Sequence, residues 1–263
     1  MNAVFDAASV ARLFLQAKAH RAKLDTLPEG VRPSNADEAY AVQEATLHVL
    51  RADAADAGDA HAIGGWKVGA KSADGPIQGA LLPAYGVHRS GAHLSMQAFG
   101  KVALELEVAF TFNRPFDAGS GPYDDAEVLA AIGCIHSTIE VVASRFAAWP
   151  DVDKLWQLAD LQNHGALVVG EGVPYDDAFA FVSPTMTFTY DGASLFDAAP
   201  ANPAGDPRRL LTWTINHAVS RGLSVEKGTV ITAGSYTGMA FPDKPGTAIG
   251  AIDGLPPVVL HFE

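Results

Sequence analysis

The chain has 263 residues, 48% of them hydrophobic and 18% charged, with a formal net charge of −12. That length and balance suit a soluble globular protein with a large core. The acidic excess, with no basic stripe to offset it, argues against nucleic acid and anionic membrane as partners. No apolar stretch approaches a membrane span and the N-terminus lacks a signal-peptide pattern, so the cytoplasm is the expected compartment. The single cysteine, Cys134, excludes an intramolecular disulfide and a cysteine-based zinc cluster. In Ile132-Gly133-Cys134-Ile135 it is expected to fill core space.

In chain order, Val4 to Leu24 carries Val10, Leu13, Phe14 and Ala17 at helical spacing and predicts an amphipathic helix. A second helix is expected from Ser34, with Asp37 three residues on as a capping-box signal, to about Ala57, closed by Gly58. From Ile63 the chain turns to short β-like runs punctuated by Gly and Pro, interrupted by a helix from Asp124 to Ile132. Gly165 to Val169, Met186 to Tyr190, Thr229 to Ala233 and Val258 to Phe262 predict further strands. The expected class is α+β: a helical portion over 1–60 packed on a β-rich body over 61–263, together one folding unit.

The run from Lys101 to Phe112 alternates strictly. Val102, Leu104, Leu106, Val108, Phe110 and Phe112 share one face of a strand, and Glu105 and Glu107 share the other with Ala103, Ala109 and Thr111. Two acids on an otherwise quiet face repel each other unless a cation sits between them. A solvent-wetted outer face is the plainer reading. Further on, Cys134 to Val142 reads as a strand with Ile135, Ile139 and Val141 toward the core and His136, Thr138 and Glu140 on the other side. A strand-helix-strand return would bring Glu140 to Glu105 and Glu107, although alone it suits a surface acid. Three carboxylates without sulfur favour Mg²⁺ or Mn²⁺ over zinc. Such an ion leaves room for a chelating 2-oxo acid, and Lys67, in Gly65-Trp66-Lys67-Val68-Gly69, is the cation expected beside that substrate.

Ala39-Tyr40-Ala41-Val42-Gln43, Gly65-Trp66-Lys67-Val68-Gly69, Glu105-x-Glu107, Ile139-Glu140 with Ser144-Arg145, Ala159-Asp160 and Thr232-Ala233-Gly234-Ser235 occur in an order that resembles the hydratase/decarboxylase branch of the fumarylacetoacetate hydrolase superfamily. The resemblance runs from about Ser34 to Phe262. It implies a β-rich mixed sandwich or roll with N-terminal helices, a homo-oligomer, and Mg²⁺ or Mn²⁺ on Glu105, Glu107 and Glu140. It also implies catalytic or substrate-contacting roles for Lys67, Asp160 and Ser235. The pattern departs at Ala70-Lys71-Ser72 and at Leu161, both where substrate would be held.

The leading expectation is a hydro-lyase that adds water to a 2-hydroxyalka-2,4-dienoate. Decarboxylation of a 2-oxo-3-hexenedioate is the alternative, with Lys71 or Arg145 meeting the second carboxylate. An acylpyruvate C–C hydrolase would need a water-activating His/Glu pair. A non-catalytic homologue would only bind a 2-oxo acid or support a partner enzyme of the pathway. Of the nine histidines, His164 is the best placed for proton transfer.

Overall fold

A computed structural model describes residues 5–53 and 63–263, so Val4, Ala57 and Gly58 lie outside the described residues. Helix α1 (Ala7–Ala19) starts at Asp6, whose carboxylate accepts from the Ser9 amide at 3.0 Å, and it buries Val10, Ala11, Phe14 and Ala17. It stops short of Leu24 because Arg21 enters the left-handed region (φ 53°) and Leu24 instead bridges Phe146. Helix α2 (Ala36–Asp53) is capped one residue later than the sequence suggests. Asn35 accepts from the Glu38 amide at 2.9 Å, and the Glu38 carboxylate accepts from the Ser34 amide at 2.7 Å. Asp37 cannot take that role, because the returning carboxylate must stand three residues after the cap.

The larger of two sheets comprises β1 (Ile63–Ala70), β2 (Ile77–Pro83), β3 (Val87–Arg89), β5 (Ala103–Phe112), β6 (Ile132–Val142), β7 (His164–Val169), β8 (Val173–Pro174) and β11 (Val230–Ser235). Their order is β2-β1-β11-β5-β6-β7-β3, with β8 also paired to β6. The second sheet comprises β4 (Ala92–Leu94), β9 (Met186–Tyr190), β10 (Ala193–Ser194), β12 (Gly246–Ile252) and β13 (Val258–Phe262), ordered β10-β9-β12-β13-β4. The architecture is therefore mixed α+β, as expected. Helix α3 (Asp125–Ala130) carries a full capping box between Asp124 and Glu127 and ends early because Ile132 already opens β6. Helices α4 (Lys154–Ala159) and α5 (Arg209–Ser220) were not expected. The second was nonetheless legible: Leu210, Leu211, Thr214, Ile215, Ala218 and Val219 form its buried stripe.

Strand β5 is central, and its apolar face holds the main core. Leu104, Leu106, Val108, Phe110 and Phe112 are buried with Phe188, Ala248 and Leu260 of the second sheet and Leu211 and Ile215 of α5. Gly250 has no side chain because Leu106 occupies the space a Cβ would need. On the acidic face of β5, Ala109 packs with Leu82, Leu167 and Val230, so one end of that face is sealed by an apolar cluster. Cys134 falls on the side of His136 and Glu140 and is half-buried, so the alternation of β6 keeps it out of the core.

The N-terminal helices share a separate apolar cluster with Phe146, Leu158 and Ala159 of the body. Gln43, buried in α2, locks this junction: its amide donates to the Leu158 carbonyl at 2.7 Å and its oxygen accepts from the Leu81 amide at 3.4 Å. Among the described residues no helix is long and apolar enough to cross a membrane.

Candidate metal centre

Strands β5 and β6 pair antiparallel, with Glu105 opposite Glu140 and Glu107 opposite Thr138. The chain from β5 through α3 thus returns Glu140 to the acidic face. One carboxylate oxygen from each of Glu105, Glu107 and Glu140 lies within 4.8 Å of the others. Glu107 and Glu140 are buried and Glu105 is half-buried.

Each carboxylate is held by a neighbour. Lys67, on β1, forms an ion pair with Glu140 and donates to the Gln162 carbonyl at 3.1 Å. The Thr232 hydroxyl donates to Glu107 and lies 3.0 Å from the Thr138 hydroxyl. Ser235 hydrogen-bonds Glu105. The Ser235 position depends on a bulge in β11: the register shifts between Thr232 and Ser235, and Gly234 sits at φ 84°. Asn202 fixes the bulge by donating to the Ala233 and Gly234 carbonyls at 2.8 and 3.1 Å. A Cβ at Gly234 would stand 3.3 Å from the Asn202 amide, and its backbone conformation favours glycine in any case.

Burial, then the charge of Glu140, raises the pKa of Glu105 to about 7. Burial, Glu140 and Glu105 together push Glu107 well above the ordinary carboxylate range. For Lys67, burial opposes the ammonium, but the pull of Glu140, Glu105 and Glu107 outweighs it and its pKa is raised. Three acids against one lysine leave an excess of negative charge in a desolvated place. An all-oxygen donor set at this spacing fits a hard divalent cation, which would remove that excess.

The glutamates and Lys67 line a cavity of about 560 Å³ that also carries Ser235, Lys71 and Lys154. Among the described lining residues there is no histidine. The Lys71 and Lys154 side chains are exposed and have no hydrogen bond or ion pair among the described residues. Asn163 also lines the cavity, and its side-chain oxygen is buried without a partner.

Asp160, expected in contact with substrate, is not brought to this cavity. It is buried behind it, where its carboxylate accepts from Arg145, from the Arg145 amide at 2.9 Å and from the Ser144 hydroxyl at 3.1 Å. Arg145, one of two candidates for a second substrate carboxylate, is thereby committed elsewhere, whereas Lys71 is on the cavity wall. His164 is also buried away from the cavity, with neither ring nitrogen partnered.

What the sequence did not reveal is the turn between Asp160 and His164. Leu161, Gln162 and Asn163 all adopt left-handed conformations, with φ of 49°, 50° and 59°. Such conformations are costly for residues with a Cβ and persist only when surroundings impose them. Arg145 imposes this one, donating to the Asp160 carbonyl at one end and to the His164 carbonyl, at 2.5 Å, at the other. The clamp presents the Gln162 carbonyl to Lys67. Leu-Gln-Asn carries no glycine to announce a left-handed turn; the buried Ser144-Arg145 and Asp160 motifs were the available signal.

No family model matches the chain. Among solved structures, 4-oxalocrotonate decarboxylase from Pseudomonas putida G7, complexed with magnesium and adipate, superposes with a TM-score of 0.81 at 18% identity, over 98% of this chain and 97% of that one. Fumarylpyruvate hydrolase from Pseudomonas aeruginosa, in complex with Mn²⁺ and pyruvate, matches over 75% of this chain and 88% of that one, at a TM-score of 0.53 and 15% identity. A 2-hydroxyhepta-2,4-diene-1,7-dioate isomerase from Mycobacterium marinum matches over 75% and 73%, at a TM-score of 0.55 and 14% identity.

Proposed function

We propose that this chain, whose fold is that of the fumarylacetoacetate hydrolase superfamily, is a metal-dependent lyase of the hydratase/decarboxylase branch acting on a 2-oxo acid or its dienol. The carrying observation is the convergence of Glu105, Glu107 and Glu140 within 4.8 Å at a cavity shared with Lys67. Glu105, Glu107 and Glu140 would hold Mg²⁺ or Mn²⁺, with Ser235 and Thr232 orienting two of the carboxylates. When bound, the ion supplies Lewis-acid polarisation of the substrate's chelating oxygens.

Lys67 is fixed by its ion pair with Glu140 and its hydrogen bond to the Gln162 carbonyl. It therefore faces the substrate as a cation, stabilising negative charge that develops on a dienolate and delivering a proton to it. Burial of Trp66 and Val68 beside it on β1 holds its stem in place. Asp160 acts through Arg145 and the turn, as a positioning residue.

The unpaired lysines of the cavity wall favour a substrate with a second carboxylate, and so release of carbon dioxide from a 2-oxo-3-hexenedioate over the hydration that the sequence put first. Hydration of a 2-hydroxyalka-2,4-dienoate is the second reading. It is supported by the unpartnered Asn163 oxygen, which suits a water or hydroxyl as hydrogen-bond donor. The lack of a histidine among the described lining residues counts against an acylpyruvate hydrolase.

The test is a Mg²⁺- or Mn²⁺-dependent assay of 2-oxo-3-hexenedioate and 2-hydroxypenta-2,4-dienoate side by side, following dienol absorbance and carbon dioxide. Carbon dioxide release from the first supports decarboxylation, and dienol loss from the second without it supports hydration. Metal-dependent turnover of neither would remove the lyase reading and leave a binding homologue.

A further inference from the structure

A second hollow, of about 260 Å³, opens between the end of α1, the segment around Tyr85 and the Ser144-Arg145 pair. It shares no lining residue with the metal cavity. Lys18, Arg21, Lys23, His88 and Arg145 line it, and among the described lining residues there is no carboxylate. In a chain with 30 acidic and 18 basic side chains this clustering is against composition.

Two of the four lysines and arginines are already engaged. Arg145 is held by Asp160, and the Lys23 ammonium donates to the Phe99 and Ser144 carbonyls at 2.9 and 2.6 Å. The other two are not: the side chains of Lys18 and Arg21 have no hydrogen bond or ion pair among the described residues. The Lys18 ammonium lies 4.0 Å from the centre of the Tyr85 ring. Burial, then the charge of Arg145, depresses Lys18 to about 7, with Asp160 the carboxylate opposing that shift. Lys18 is thus a half-buried amine without an ion pair, since the carboxylate acting on it, Asp160, is taken by Arg145. Next to it a void of about 20 Å³ is lined by Lys18, Tyr85, the Arg145–Asp160 pair and the unpartnered His164.

We propose that this hollow is a binding site for a small organic carboxylate, distinct from the metal cavity, with Lys18 and Arg21 as its charge partners. Ala17, Ala22, Phe99 and the Tyr85 ring supply apolar wall for a short carbon skeleton, which favours an organic acid over inorganic phosphate. Its entry places an anion where the lysine and arginine lack one.

The test uses the whole chain stripped of metal with a chelator, so that chelation at the glutamates contributes nothing. Pyruvate is titrated by calorimetry and by melting temperature, against phosphate and against chloride at matched ionic strength. The expected result is saturable pyruvate binding that exceeds both controls, weakened by roughly tenfold or more in Lys18→Met and Arg21→Gln and unchanged in Lys71→Met on the other cavity. Arg21 is exposed, so its substitution reports on the site even where Lys18→Met disturbs α1. Absence of saturable binding overturns the proposal, as does binding lost in Lys71→Met but kept in the other two. Equal binding of phosphate would overturn the organic-acid assignment.

Discussion

Glu105 stands directly opposite Glu140 in the β5–β6 ladder. Like charges in that position destabilise a sheet, and burial deepens the cost. Since Glu105 is raised from its ordinary 4.5 to about 7, the metal-free fold retains a proton there that the unfolded chain releases. Stability of the metal-free protein should therefore fall as pH rises from about 4.5 to about 7. Glu105→Gln should flatten that slope, and saturating Mn²⁺ should remove it; melting curves across the range measure both.

Loss of one ligand should be felt as loss of metal. In Glu107→Gln, Mn²⁺ affinity measured by calorimetry should drop by more than about a hundredfold, the upper end of what even an outer-shell change costs. Turnover should fall with it while the far-ultraviolet circular dichroism stays that of the folded chain. A Glu107→Gln protein that binds Mn²⁺ as the parent does would remove Glu107 from the ligand set.

Arg145 and Asp160 form a buried pair that also staples the left-handed turn. Arg145→Met leaves Asp160 without its counter-charge, and an unfolding midpoint should report a loss of roughly 3–5 kcal/mol. Arg145→Lys keeps the charge but not the planar fork that reaches two carbonyls at once. It should recover part of the stability and still lower kcat, because the Gln162 carbonyl no longer positions Lys67.

His217 gives an acid limit independent of the metal centre. It stacks on Trp213 with ring centres 4.6 Å apart and lies 4.3 Å from Tyr40. Burial, then Arg221, depresses it from 6.5 to about 4. The folded protein keeps it neutral where the unfolded chain protonates, so stability is lost as pH falls from about 6.5 toward 4. His217→Phe should remove that part of the acid sensitivity in melting curves.

The sequence by itself determined which faces of their strands carry Glu105, Glu107 and Glu140. Strict alternation in β5 forces Glu105 and Glu107 onto one face, and the same period in β6 forces Glu140 away from Ile139 and Val141. Helix α5 was also legible, because its stripe follows local periodicity. Tertiary structure alone decided which residues meet from afar. Nothing in Ser144-Arg145 or Asp160 says that they pair with each other and not with substrate, since that depends on where β6 ends relative to α4. Nothing in Leu161-Gln162-Asn163 predicts three left-handed residues, because their local preference opposes it and only the Arg145 clamp overrides it. The gathering of Lys18, Arg21 and Lys23 around one hollow with Arg145 likewise requires α1 to dock beside a strand end far along the chain, a contact set by packing and invisible to any local pattern.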